Sequence, residues 1–217
     1  MTFVTFVVQP ICGGVGKLGE RYEICLSGSG GQGLILAGII LAEAAGVHEG
    51  KHVAQSQSYG PEARGGASKA EVVISDEEID YPMATRLDLL LAMNQKSSDS
   101  FYFDLKPEGT LVVDSTFVSQ TPTTKAICIP FTEIARKELG REMVANIIAL
   151  GALATLTKVV SFKSLEAAVL ARVPKGTEEL NRKALQLGSK EAKRILKERE
   201  PEAMLGHGPN HEDTPYE

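Results

Sequence analysis

The chain has 217 residues, 43% hydrophobic and 24% charged, with a formal net charge of −5 and a pI near 5.5. That length suffices for one domain with a substantial core, and the acidic balance argues against nucleic acid or an anionic membrane as the main partner. Cys12, Cys25 and Cys128 lie far apart, with no C-x-x-C and no histidine at zinc-ligand spacing, which argues against a zinc site or an iron–sulfur cluster held by this chain alone. They fit reduced thiols in a cytoplasmic protein, with Cys25 and Cys128 as small core fillers.

The first twenty residues differ from the rest. Phe3 to Ile11 is short and apolar with no basic stretch before it, which does not match a secretory signal, and Cys12 to Gly19 is glycine-rich. Residues 1–20 are therefore set apart as an N-terminal extension: an edge strand, a partner contact, or residues translated from an early start. The domain proper runs over 21–198.

Its opening unit is the most informative. Glu23 to Leu26 predicts a strand, Gly28-Ser29-Gly30-Gly31-Gln32-Gly33 a glycine-rich turn, and Leu34 to Ala45 a helix apolar on nearly every face. Glycines there allow positive φ and a close ligand approach, and the helix start directs free N–H groups into the loop. The combination favours a phosphate or pyrophosphate. The spacing also satisfies G-x-G-x-x-G, but a nicotinamide dinucleotide site wants an acid at the end of the second strand. That strand, Lys51 to Gln57, ends in amides and hydroxyls, while Glu43 falls inside the helix and Glu49 in the turn after it. Three readings stay open: a phosphate-bearing ligand, an NAD(P) site, or glycines that serve only a tight turn.

The next loop, Ser58 to Gly66, is punctuated by Gly60-Pro61 and Gly65-Gly66 around Tyr59, Glu62 and Arg64. It is either a surface connection carrying a Glu62–Arg64 pair, or a second binding loop on the same sheet edge whose Arg64 forks onto a phosphate or carboxylate. Ser68 to Ser75 predicts a strand, Asp76 to Asp80 an acidic turn, and Leu87 to Met93 a strand buried on both faces. Asn94 and Gln95 follow at the carboxyl edge of the sheet, placed either for a ligand or to cap the next helix.

Further on, Ser97 is placed to cap a helix through Asp104. Lys106 to Gly109 predicts a turn, Thr110 to Asp114 a buried strand ending in an acid, and Lys125 to Phe131 another strand. Thr132 opens a helix that stops at Gly140, and Glu142 to Lys158 forms a longer, buried one whose charge-free centre is too short to span a bilayer. Ser164 caps a helix to Arg172. Thr177 caps the last, with acids early and bases late along its dipole. Residues 199–217 are expected to be a disordered tail. Strands alternating with helices at this pace predict one α/β, Rossmann-like domain with a mostly parallel sheet flanked by helices.

No HExxH, GxSxG or P-loop is present, and none of the four histidines pairs by motif with a nucleophile. This pattern suits a subunit better than a free-standing enzyme.

The run LSGSGGQGLILAGIILAEAA from Leu26 to Ala45, followed by QSQSYGPEARGGASKAEVVIS from Gln55 to Ser75, resembles the gamma subunit of the 2-oxoacid:ferredoxin oxidoreductases. The DLLLAMNQ and GTLVVDS strands extend the likeness over about residues 21 to 195, and Ala-Ser-Lys-Ala-Glu-Val after Gly66 is most similar to the 2-oxoglutarate type. The resemblance implies a cytoplasmic complex that oxidatively decarboxylates a 2-oxoacid, reduces ferredoxin and forms an acyl-CoA. Thiamine diphosphate, Mg2+ and iron–sulfur clusters are then held by partner chains: alpha and beta subunits and a ferredoxin-like delta subunit. It also implies coenzyme A binding, carried onto Gly28 to Gly33 for the phosphates and onto Tyr59, Glu62, Arg64, Gly65 and Gly66 for the face toward the thiamine-bearing partners. No catalytic residue and no metal ligand is expected in this chain.

Overall fold

A computed structural model describes residues 6–8, 21–59 and 67–205. Among these residues, seven strands form one sheet in the order β1-β3-β4-β2-β5-β6-β7. In chain order these are β1 (Phe6–Val8), β2 (Tyr22–Ser29), β3 (His52–Tyr59), β4 (Ala67–Ser75), β5 (Leu87–Ala92), β6 (Leu105–Asp114) and β7 (Ile127–Ile129). β2, β5, β6 and β7 pair in parallel. β4 runs antiparallel to both β2 and β3, and β1 is antiparallel to β3. The architecture is therefore the expected α/β domain flanked by helices, but the sheet is mixed rather than mostly parallel, with three parallel and three antiparallel pairings.

The insertion of β4 has a direct consequence. A dinucleotide fold places its second strand beside the first, in parallel, so that the strand's end reaches the ribose. Here β3 points the same way as β2 but lies two positions off, with β4 between them. The geometry that an NAD fingerprint needs is not built.

Alternation along β2 sorts its side chains to two faces. Ile24 and Leu26 join Val72, Ile74, Leu89, Leu91 and Val112 in the main core. That core is closed by helices α1 (Leu34–Glu43), α3 (Phe131–Leu139), α4 (Ala145–Thr157), α5 (Phe162–Arg172) and α6 (Glu178–Leu205). Cys25 faces the other way, into a smaller cluster with Leu90, Leu111, Val113 and Ala126, onto which Phe101 of the short helix α2 (Gln95–Phe101) packs. α1 and α2 thus leave neighbouring strands toward opposite faces, which makes the gap between β2 and β5 the topological switch point of the sheet.

The long helices pack through small residues. A Cβ added to Gly188 of α6 would stand 1.8 Å from the Ile148 carbonyl oxygen of α4, and one on Gly151 2.2 Å from that of Leu185. Two glycines facing opposite backbones let α4 and α6 approach closely, and ten of the thirteen α4 residues are buried. At the start of β2, the buried Glu23 carboxylate is paired with Arg21 and accepts the N–H groups of Thr85 and Arg86. Burial pushes this carboxyl up, but the Arg21 hydrogen bond and the two amides outweigh burial and hold it below the usual carboxylate range.

Several expectations are corrected in detail. Lys106 to Gly109 lies inside β6, whose register against β5 slips between Leu87 and Leu89, so the expected turn is absorbed as a strand irregularity. Ser97 does not cap α2; Asn94 does, and Ser97 instead hydrogen-bonds Ser27 across the sheet at 2.9 Å. Ser161, not Ser164, caps α5. The helix expected from Glu142 opens as a 3-10 turn, Glu142–Val144, before α4. Cys128 is exposed rather than in the core, because it points outward from the three-residue edge strand β7, whereas Cys25 is buried as expected. α6 runs over Glu178–Leu205, and residues 206–217 lie outside the described residues.

Candidate functional site

The glycine loop sits at the carboxyl end of β2, where the switch-point rule places ligands in open α/β sheets. Gly31 (φ 95°) and Gly33 (φ 72°) are both left-handed, a conformation that side chains resist. Gly33 is the N-cap of α1 and offers no side-chain cap, so the first-turn amides of a ten-residue helix are left for an incoming acceptor. Gly28 is needed for a different reason. A Cβ there would stand 2.3 Å from Gln32 Oε1 and 2.9 Å from the Met93 Cβ, so the loop folds back only over a bare backbone.

Polar side chains fix the loop before any ligand arrives. Gln32 Oε1 accepts the Ser29 N–H at 2.7 Å, and the Gln32 N–H closes onto the Ser29 carbonyl at 3.2 Å. Asn94 Nδ2 donates to the Ser29 hydroxyl at 2.7 Å, and Asn146 Nδ2 donates to the Gly33 carbonyl at 3.0 Å. The Ser68 hydroxyl lies 3.4 Å from the Gly28 and Ser29 carbonyls. The loop is thereby held by β4, by the end of β5 and by the start of α4. Fixed donors of this kind bind an anion without an ordering cost at the moment of binding.

Ser29, Gly31, Gln32 and Asn94 line one side of a cleft of about 470 Å³. Of the residues expected at the site, these four are brought together. Gly30 is exposed beside them, while Gly28 and Gly33 support the loop from behind. Tyr59 ends β3, and its register partner Ser68 is also the partner of Gly28 on the other edge of β4. Both ends of the second loop therefore reach the glycine loop's edge of the sheet. Glu62, Arg64, Gly65 and Gly66 lie outside the described residues.

The opposite side of the cleft was not foreseen: Phe117, Thr132, Glu142, Met143 and Ala145. Thr132 is held by the buried Asp114 carboxylate, which accepts its N–H and hydroxyl and so caps α3. Glu142 pairs with Arg136, whose guanidinium stands 5.7 Å from the centre of the Phe117 ring. The Arg136 hydrogen bond holds the Glu142 carboxyl below its usual range. The signal available was positional: this wall follows the ends of β6 and β7, on the edge where ligands gather.

Catalytic chemistry is not visible in these groups. Burial pushes the Cys25 thiol well above its ordinary value, which removes it as a thiolate nucleophile at neutral pH. Among the described residues no three His, Cys, Asp or Glu side chains converge as a metal site. No helix among them is long and apolar enough to cross a membrane. A larger groove of about 920 Å³ between α4 and α6, with Lys158, Lys190, Lys193 and Lys197 on its walls, shares no residue with the glycine-loop cleft. Its size does not make it the site, since it lacks the free amides and fixed donors described above.

Comparison with known proteins assigns the family. Residues 23–191 match Pyruvate ferredoxin/flavodoxin oxidoreductase. The 2-oxoglutarate synthase subunit KorC of Methanocaldococcus jannaschii is 50% identical over 179 residues, covering 81% of this chain and 96% of the relative. The crystal structure of the keto/oxoacid ferredoxin oxidoreductase gamma subunit from Geobacter sulfurreducens PCA superposes with a TM-score of 0.72 at 52% identity, covering 79% of this chain and 96% of that one. The 2-oxoglutarate:ferredoxin oxidoreductase from Magnetococcus marinus, with 2-oxoglutarate, coenzyme A and succinyl-CoA bound, shares the fold at a TM-score of 0.71 and 24% identity, over 81% of this chain and 31% of that one. The chain belongs to the pyruvate ferredoxin/flavodoxin oxidoreductase family and is, within it, of the gamma-subunit type.

Proposed function

We propose that the chain is the gamma subunit of a cytoplasmic 2-oxoglutarate:ferredoxin oxidoreductase, and that its glycine loop binds the diphosphate of coenzyme A. The observation that carries the substrate assignment is the 50% identity to a 2-oxoglutarate synthase subunit across nearly the whole of that relative. The observation that carries the binding role is the prearranged loop, with open amides at the start of α1 and the Ser29 hydroxyl held by Asn94.

In this reading partner subunits, alpha and beta with a ferredoxin-like delta chain, hold thiamine diphosphate, Mg2+ and the iron–sulfur clusters. Those groups supply decarboxylation and electron transfer to ferredoxin. The present chain binds and orients the acyl acceptor. Backbone N–H groups from Gly30 to the first turn of α1 take the diphosphate charge, Gln32 keeps the loop closed, and the loop between Tyr59 and Ala67, with Glu62, Arg64, Gly65 and Gly66, faces the thiamine-bearing partners.

Ferredoxin reduction by the co-expressed subunits, with and without this chain, tests the assignment. Turnover with 2-oxoglutarate and coenzyme A is expected only when the chain is present, and Gly31→Val or Arg64→Ala is expected to raise the KM for coenzyme A. Equal turnover without the chain, or turnover by this chain alone, would overturn it.

A further inference from the structure

The two walls of the cleft differ in chemistry. One presents N–H groups, the Ser29 hydroxyl and the Gln32 and Asn94 amides; the other presents Phe117, 44% exposed, and Met143, 80% exposed. A phosphate alone has no use for the second wall. Large apolar side chains left open to water beside a polar cleft mark a surface that a ligand covers.

Resting on the reading that the loop takes the coenzyme A diphosphate, we propose that Phe117 and Met143 form the seat of its adenine base. An aromatic ring offers a stacking face, and a thioether adapts to the edge of a flat π-system. The ring is braced from its surroundings: Arg136 lies over it and is itself fixed by Glu142. Glu142 also lines this side of the cleft, but its charge is matched by Arg136, so this wall offers an apolar face with no net charge while the free amides of the loop attract phosphate. The open amides therefore set which end of the ligand meets the loop. In this arrangement the nucleoside contributes affinity and orientation, and the pantetheine arm is left to extend toward the partner subunits.

Titration of the assembled complex containing the full chain tests the seat, with three ligands: coenzyme A, adenosine 3′,5′-bisphosphate, and 4′-phosphopantetheine, which lacks the nucleoside. Phe117→Ala is expected to weaken coenzyme A and the bisphosphate by about tenfold or more, as loss of one stacked base does, while leaving phosphopantetheine unchanged. Met143→Ala, at a side chain too exposed to matter for folding, is expected to act in the same direction, and Phe117→Trp to retain affinity. Coenzyme A binding that both alanine variants leave intact while Gly31→Val abolishes it would overturn the base seat and leave the loop reading standing. Binding indifferent to Gly31→Val as well would overturn both.

Discussion

Asn94 serves two elements with one side chain: its Oδ1 accepts the Ser97 N–H at 2.8 Å, capping α2, while its Nδ2 donates to the Ser29 hydroxyl at 2.7 Å. The two roles are separable. Asn94→Asp keeps an acceptor for the cap but adds a negative charge beside the anion cleft, so stability should be nearly unchanged while coenzyme A binds about tenfold or more weakly. Asn94→Ala should lose both, with a stability loss of about 1 kcal/mol from the missing cap. Calorimetric titration and thermal melts on the same preparations distinguish the two variants.

The glycines of the loop should fail in different ways. Gly31 is surrounded by open space but has φ 95°, so Gly31→Ala costs roughly 1 kcal/mol of backbone strain or moves the loop, and shows mainly as lost ligand affinity. Gly28→Ala collides with Gln32 and with the Met93 Cβ, and should lower the melting temperature of the ligand-free protein as well. Equal effects of the two substitutions on the unliganded melt would contradict this assignment.

Acid should weaken the fold through Glu23. Its folded pKa is depressed, so its contribution is present above the unfolded value of about 4.5 and is lost as pH falls through the lower folded value. Glu23→Gln is therefore expected to be less stable than the parent at pH 7, with the gap narrowing below about pH 4.5. Denaturant midpoints of both proteins measured across that range provide the check.

The close crossing of α4 and α6 predicts an intolerance to a single methyl group. Gly188→Ala would press a Cβ onto the Ile148 carbonyl, and the helices can separate only by opening the core around Leu153 and Leu185. Overpacking of this sort costs roughly 1–3 kcal/mol. Urea unfolding should show a lower midpoint for Gly188→Ala than for the parent.

Much of this fold is legible in the sequence because local signals coincide with tertiary ones. The glycine loop, the apolar run at Leu87 and the Gly140 helix stop each carry a pattern that only one structure satisfies. The misplaced caps show the limit: Ser97 and Ser164 are good capping residues, but Asn94 and Ser161 stand three positions earlier and take the role in each case. Lys106 to Gly109 has turn chemistry, yet pairing with β5 on both sides draws it into a strand. At the site, the wall carrying the glycines is a contiguous motif. The wall carrying Phe117, Thr132 and Met143 is assembled from separate stretches and leaves no spacing to recognise.

The antiparallel β4 also decides where change is cheap. It is zipped to β3 from His52↔Ser75 to Tyr59↔Ser68 and to β2 from Tyr22↔Ile74 to Ser29↔Ala67, so the segment joining β3 to β4 is clamped at both roots. Strands anchored this way keep their alignment when the segment that joins them is changed. The alignment of three strands is thereby independent of what the joining segment carries.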